Sequence, residues 1–140
     1  MTTSSSLGNL NMIQPQSIIY ACSDETTAIT VGTAKTTWRM AYPFQVLAVK
    51  ASLTTAGSTS GTTTIDINDD GTSILSTKLT IDQGELTSVT AATPPVIAAT
   101  GYTILPDSSI TTDVDAISGG ASETGLKCEI IGFPLGARIS

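Results

Sequence analysis

The residues with the strongest claim to chemistry lie in "IDINDDGTSILS", residues 65–76. Asp66, Asn68, Asp70 and Gly71 match the first half of a calcium loop, where alternate oxygen-bearing side chains wrap one hard cation and Gly makes the sharp turn. Such a loop also needs a bidentate carboxylate at its twelfth position and a helix on either side. Counting from Asp66, that position is Thr77, whose hydroxyl does not supply two charged oxygens. Both flanks alternate apolar and polar residues, as strands do. Asn-Asp-Asp-Gly between two alternating runs signals a hairpin, since Asn and Asp tolerate left-handed backbone and Gly adopts it freely. The stretch reads as a turn.

Asp113 and Asp115 raise a second chemistry, the paired carboxylates of glycoside hydrolysis. They fall on one strand face that reads as solvated, with no cleft or aromatic platform implied. The chain contains no His. That removes His-based triads, most catalytic zinc sites and the commonest general base at neutral pH. Neither G-x-x-x-x-G-K nor G-x-S-x-G occurs, so phosphate-loop and hydrolase-elbow mechanisms have no foothold. No catalytic, cofactor-binding or metal-ligating residue is assigned, and the expectation is a protein that is not an enzyme and uses no cofactor. Sugar binding would draw on Trp38, Tyr20, Tyr42, Tyr102, Phe44 and Phe133, with Asn68, Asp69 and Asp70 at a rim. Trp38 alternates with Thr36 and Met40, which suits a core or interface better than a sugar platform.

The elements that must position these residues are strands. Of 140 residues, 40% are hydrophobic, 13% are charged, and close to three in ten are Ser or Thr. That is the vocabulary of a β-protein with enough apolar surface to fold as one domain. Strand signals run over 17–22, 26–31 (stopped by Gly32), 35–40, 44–53, 62–68, 72–81, 109–117 and 124–133. In 44–53, Leu47, Val49, Ala51 and Leu53 share a face; in 62–68, Thr63, Ile65 and Ile67 point inward. "TPPVI" (93–97) reads as an edge segment, because Pro cannot donate to a ladder. A short helical turn fits only near Gln83 to Ser88. About eight strands with frequent turns predict an all-β fold, an antiparallel β-sandwich of jelly-roll or Greek-key type. Residues 1–16, without a charged side chain, read as an extended N-terminal arm, and 17–140 as the sandwich domain.

Charge and cysteine narrow the partners. The net charge of −6 leaves no cationic patch for phosphate, so nucleic acid is not an expected partner. No apolar run approaches the length of a membrane span, and the N-terminus lacks the features of a signal peptide. Cys22 and Cys128 read as small buried hydrophobes, with Cys128 sharing a face with Leu126 and Ile130; a single long-range disulfide is the alternative.

The run "CSDETTAITVGTAKTTWRMAYPFQVLAVKASLTTAGSTSGTTTIDINDDGTSILSTKLTID" (22–82), with "TPPVI" (93–97) and "GLKCEIIG" (125–132), resembles small β-rich virion proteins of tailed bacteriophages, especially phages of cyanobacteria and other aquatic bacteria. The resemblance covers most of residues 18–133 and leaves out the arm. It rests on "SDETTA", "ASLTTA", "DIN–DG–TSILSTKLTID" and "TPPVI" taken together, and none of these encodes chemistry. It implies a structural virion component: a head decoration module, or a piece of a tail fibre or appendage. The expectation is a capsid decoration (cement or knob) protein on the capsid exterior, a homo-oligomer and most simply a trimer. Its partner would be the major capsid protein or another virion protein, without contact to membrane or nucleic acid. Leu7, Leu10, Met12 and Ile13, apolar residues in a polar arm, are the candidate partner contacts; packing against their own domain is the competing reading. The alternative function is a tail-fibre or appendage module that binds host surface glycans.

Overall fold

The computed structural model describes residues 14–120 and 122–136. It contains eleven strands: β1 (Gln16–Ala21), β2 (Gly32–Arg39), β3 (Phe44–Ser52), β4 (Thr62–Asp69), β5 (Thr72–Ser73), β6 (Leu75–Thr77), β7 (Leu79–Asp82), β8 (Val96–Ile97), β9 (Thr103–Ile104), β10 (Ser109–Ala116) and β11 (Lys127–Pro134). Strands β5, β8 and β9 have two residues each, which leaves the expected eight of three residues or more.

One sheet has the order β1-β11-β3-β9, the other β2-β10-β4-β5 with β7 also on β4, and β6-β8 form a small ribbon. Every pairing is antiparallel. The protein is all-β, an antiparallel β-sandwich. Alternation decides the buried face. Ile65 and Ile67 of β4 and Ile110, Thr112 and Val114 of β10 pack against Phe44, Val46 and Val49 of β3 and Cys128 and Ile130 of β11. Each such aliphatic or aromatic burial stabilises by roughly 1.5–3 kcal/mol.

The hairpin read in residues 65–76 is present. Asp69 pairs with Thr72, and the two residues between, Asp70 (φ 48°) and Gly71 (φ 86°), are both left-handed. That is the backbone of the two-residue turn that matches strand twist.

Three strand expectations need correction. Leu47 does not face inward with Val49: it is 54% exposed, while Phe44 and Val46 are buried. A β-bulge causes this. Ile131 pairs with Ala48 and the next residue, Gly132, pairs with Val46, so Leu47 is the extra residue and the face reverses there. Residues 26–31 are not a strand. The Asp24 carboxyl accepts the N–H groups of Thr26 (2.9 Å) and Thr27 (2.6 Å), forming a local turn in place of a ladder. Gly32 consequently begins β2 and does not stop a strand. Residues 72–81 are not continuous either. The Leu75 N–H donates to the Ser73 hydroxyl (3.0 Å), and the chain leaves β4 to pair with Val96 and Ile97 before returning as β7. The edge character of "TPPVI" is realised in that ribbon.

Smaller shifts follow from hydrogen bonding. The helical turn lies at Ser88–Thr90, just past the expected position, where the Thr87 hydroxyl caps the Val89 N–H (3.1 Å). Thr124 makes only an isolated bridge to Thr55, so the last strand starts at Lys127.

Candidate functional site

Leu7, Leu10, Met12 and Ile13 lie outside the described residues, so the site is built from what the sandwich presents. Its densest polar cluster is on the outer face of β4 and β10, where Asp66 sits directly opposite Asp113. The Asp66 carboxyl accepts the Ser73 hydroxyl (2.5 Å) and lies 3.5 Å from the Lys78 ammonium. Lys78 in turn donates to Asp115 (2.6 Å), and this bond holds the ammonium above the ordinary lysine range. Asp113 accepts the Asn68 amide (3.0 Å) and the Ala34 N–H (2.8 Å).

This face is therefore less solvated than alternation predicted. Asp66 and Asn68 are buried: Ser73 and Lys78 reach the Asp66 carboxyl, and Asn68 is held against Asp113. The Asp70 carboxyl accepts the Ser109 N–H (2.9 Å), and the Asp70 N–H donates to the Ser109 carbonyl (2.9 Å). The side chains that a calcium loop would converge on one ion instead reach Ser73, Asp113 and Ser109. Chemically, the cluster ties β4, β10, β2 and the β6–β7 link together.

A second group closes the β1–β2 side of the sandwich. The Tyr20 and Trp38 rings lie 5.0 Å apart at 58°, and the Tyr20 hydroxyl meets that of Thr112 at 2.9 Å. Trp38 is thus committed to packing. Cys22, the residue after β1, and Cys128 of β11 are both buried free thiols. Their mutual hydrogen bond lowers the Cys22 thiol and raises that of Cys128. Burial also drives the Tyr20 phenol far above the tyrosine range. At the hairpin end, burial and then the Asp69 carboxyl, 3.1 Å away, push Tyr102 up to about 12.

These two raised phenols make the stability of the fold fall at alkaline pH. A phenol raised on folding holds a proton that the unfolded chain gives up near pH ~10. Its stabilisation is complete below that pH and is lost as pH rises through the folded value. In a phenolate absorbance titration, Tyr102 is expected to ionise near 12, and Tyr20 only together with loss of near-ultraviolet circular dichroism. Comparison with Tyr20→Phe assigns the two, and a Tyr20 phenolate formed in folded protein within the ordinary range would contradict this.

A third group was missed by the sequence reading. Glu123 is only 1% exposed, in a loop of small polar residues where a lone Glu carries no signal of burial. Its Oε2 accepts the Thr63 hydroxyl and the Ser118 N–H (3.3 Å), while Oε1 has no partner among the described residues. At the surface, Glu25 bonds Lys127 and the Thr54 hydroxyl, and the Lys127 bond holds its carboxyl below the ordinary range.

The remaining surface is apolar in places. Ile19, Val31, Leu47, Leu86, Val89, Val96 and Leu105 are exposed. A shallow groove of about 370 Å³ runs between Leu47, Val96, Thr100 and Gly101. Another, about 240 Å³, lies beside Ile19 between Lys50, Ser52, Lys127 and Glu129. The sequence reading took 17–22 as an apolar run without assigning faces and so did not single out Ile19, although alternation with Ile18 and Tyr20 carries that signal; Leu47 was hidden by the bulge.

Fold and surface together define a small antiparallel β-sandwich whose carboxyls mostly brace its own loops and whose surface exposes seven large apolar side chains among the described residues. No family model, curated protein or solved structure matches the chain.

Proposed function

We propose that the protein is a non-enzymatic structural component of a bacteriophage virion, a capsid decoration (cement or knob) protein that stabilises the head by bridging shell subunits. One observation carries this reading. Hydrogen bonds and ion pairs inside the domain occupy most of its carboxyls, while seven large apolar side chains remain at the surface among the described residues. Such a body acts by contact.

Wrapping of the chain supports the same reading. The first strand lies beside the last in one sheet, the second beside the penultimate long strand in the other, and the chain passes repeatedly between sheets. We infer jelly-roll wrapping, an architecture of viral capsid and lectin domains. The acidic surface suits the outside of a particle better than contact with packaged genome. Several weak contacts per homo-oligomer, made by the arm and the sandwich together, suffice without a deep pocket, because linkage raises effective concentration.

The test is binding to expanded shells by the full chain and by a chain lacking residues 1–14. Full-length protein is expected to decorate the shells. The truncated chain keeps its β-type circular dichroism but loses occupancy at least about tenfold. Truncated protein at full occupancy rejects the arm's role; full-length protein that leaves shells bare rejects the decoration reading.

A further inference from the structure

The edges of a β-sheet expose a row of backbone N–H and C=O groups, and soluble proteins blunt them with charge, Pro, bulges or shortness. Among the described residues the two large sheets have four edges, and three of these carry such a device. Strand β9 has only two residues. Strand β2 carries Lys35 and Arg39, and at left-handed Ala34 (φ 49°) its pairing with β10 slips. The far side of β4 is divided between short β5 and β7, with Lys78 in the link. Strand β1, "QSIIYA", has none of these: it is uncharged and pairs with β11 over six consecutive residues without a slip.

Hydrogen-bond parity fixes which of its groups face outward. The Cys22 N–H donates to the Leu126 carbonyl (2.8 Å). In an antiparallel ladder such bonded pairs recur at every second residue, so Gln16, Ile18 and Tyr20 bond β11. Ser17, Ile19 and Ala21 therefore aim their backbone groups away from the sheet. Only the Ala21 carbonyl is met among the described residues, by the Thr36 hydroxyl (3.2 Å).

We infer that β1 is a self-association edge: two copies join β1 to β1, antiparallel, about a two-fold axis at Ile19. That register sets Ile19 against its own equivalent and Ser17 against Ala21 of the partner subunit. Only outward-facing positions meet, so donors find acceptors along the joint without a slip. Ile19 is 64% exposed in the single chain and gains a cross-strand apolar partner. Charge does not oppose the joint, because Glu129 beside Ile19 is followed by Lys50 in the same row. The contact is between copies and is independent of any shell, so its test is separate from the decoration assay.

The experiment is native mass spectrometry and sedimentation of the full chain. Wild-type protein is expected to populate even-numbered assemblies, and Ile19→Lys to weaken them at least about tenfold. Leu47→Lys, also at an exposed position but off the edge, leaves them unchanged. Ile19→Cys, in a Cys22→Ser, Cys128→Ser background and under a mild thiol oxidant, cross-links pairs of folded chains, and Leu47→Cys does not. A wild-type monomer or trimer overturns the inference. So does association that survives Ile19→Lys, or that is abolished by deleting residues 1–13 while Ile19→Lys leaves it intact.

Discussion

Replacing Gly132 by alanine is expected to lower the unfolding free energy by about 3 kcal/mol, the upper part of the range for overpacking. A Cβ at this position would lie 1.9 Å from the Gln45 carbonyl oxygen and 2.9 Å from the carbonyl carbon. Both are backbone atoms of the paired strand, so no rotamer change can relieve the contact. It would also lie 2.9 Å from Cε1 of Phe44, which is fully buried. To admit the methyl group, β3 and β11 must separate at the bulge that turns Phe44 and Val46 into the core. Gly32→Ala is the control: its Cβ meets the Lys35 side chain at 3.1 Å, a flexible chain able to move aside. That substitution should fall within about 0.5 kcal/mol of wild type. Urea unfolding measures both as a shift in midpoint at constant slope. Against a total of about 5–15 kcal/mol for a domain, the Gly132 effect is large. Equal midpoints for the two variants would show that the close approach does not hold the bulge.

The bulge also shows where a sequence stops speaking for itself. Alternation is local, so the inward sets of β4, β10 and β11 could be read from their own residues, and each is found as expected. The reversal at Leu47 depends on which residue of β11 lies opposite, a fact held in a distant stretch of chain. Residues 26–31 failed for another reason. Their apolar content suggested a ladder, but Asp24 offers the Thr26 and Thr27 N–H groups a nearer acceptor. That signal was present, since an Asp side chain competes with regular structure for the backbone N–H groups two and three residues on. Strands β8 and β9 are too short to display any period.

Polar groups were harder to place than apolar ones. The turn at Asp70–Gly71 follows from residue type alone, because few residues accept that backbone. Asp113 and Asp115 were placed on the correct outer face, but their partners Asn68, Ala34 and Lys78 come from three other segments. A period-2 pattern identifies the face of a strand and not its neighbours, so the network could not be drawn beforehand. Glu123 is the extreme case. Nothing local distinguishes it from a solvated loop acid, and its burial arises only when the loops at 57–61 and 117–120 close over it.

That closure gives the second large effect. Thr59 and Gly119 are joined by a hydrogen bond (3.2 Å), Gly119 and Ser60 by another (3.2 Å), and the Ser118 hydroxyl donates to the Thr59 carbonyl (2.5 Å). Beneath these loops the Glu123 carboxyl takes the Thr63 hydroxyl and the Ser118 N–H, and the space beside it is bounded by Gly57, whose Cβ position lies 3.3 Å from Cδ. Glu123→Ala removes the oxygen that accepts both bonds and empties that volume, at an expected cost of about 3 kcal/mol. Thr63→Val keeps the shape and removes a hydroxyl that donates to Glu123 and accepts the Ser118 N–H (3.4 Å), at about 1.5 kcal/mol. Both changes break the same bond, so the double variant should fall short of the sum by at least about 1 kcal/mol. Hydrogen exchange supplies a local readout: the Ser118 and Gly119 amides should exchange faster in either variant, with the β4–β10 ladder unaffected. Strict additivity, or exchange that rises evenly across the sandwich, would mean that Glu123 fills space without fastening the two loops. Coupled loss would mean that a single buried carboxyl fixes this end of the sandwich, as the bulge at Gly132 fixes the packing of Phe44.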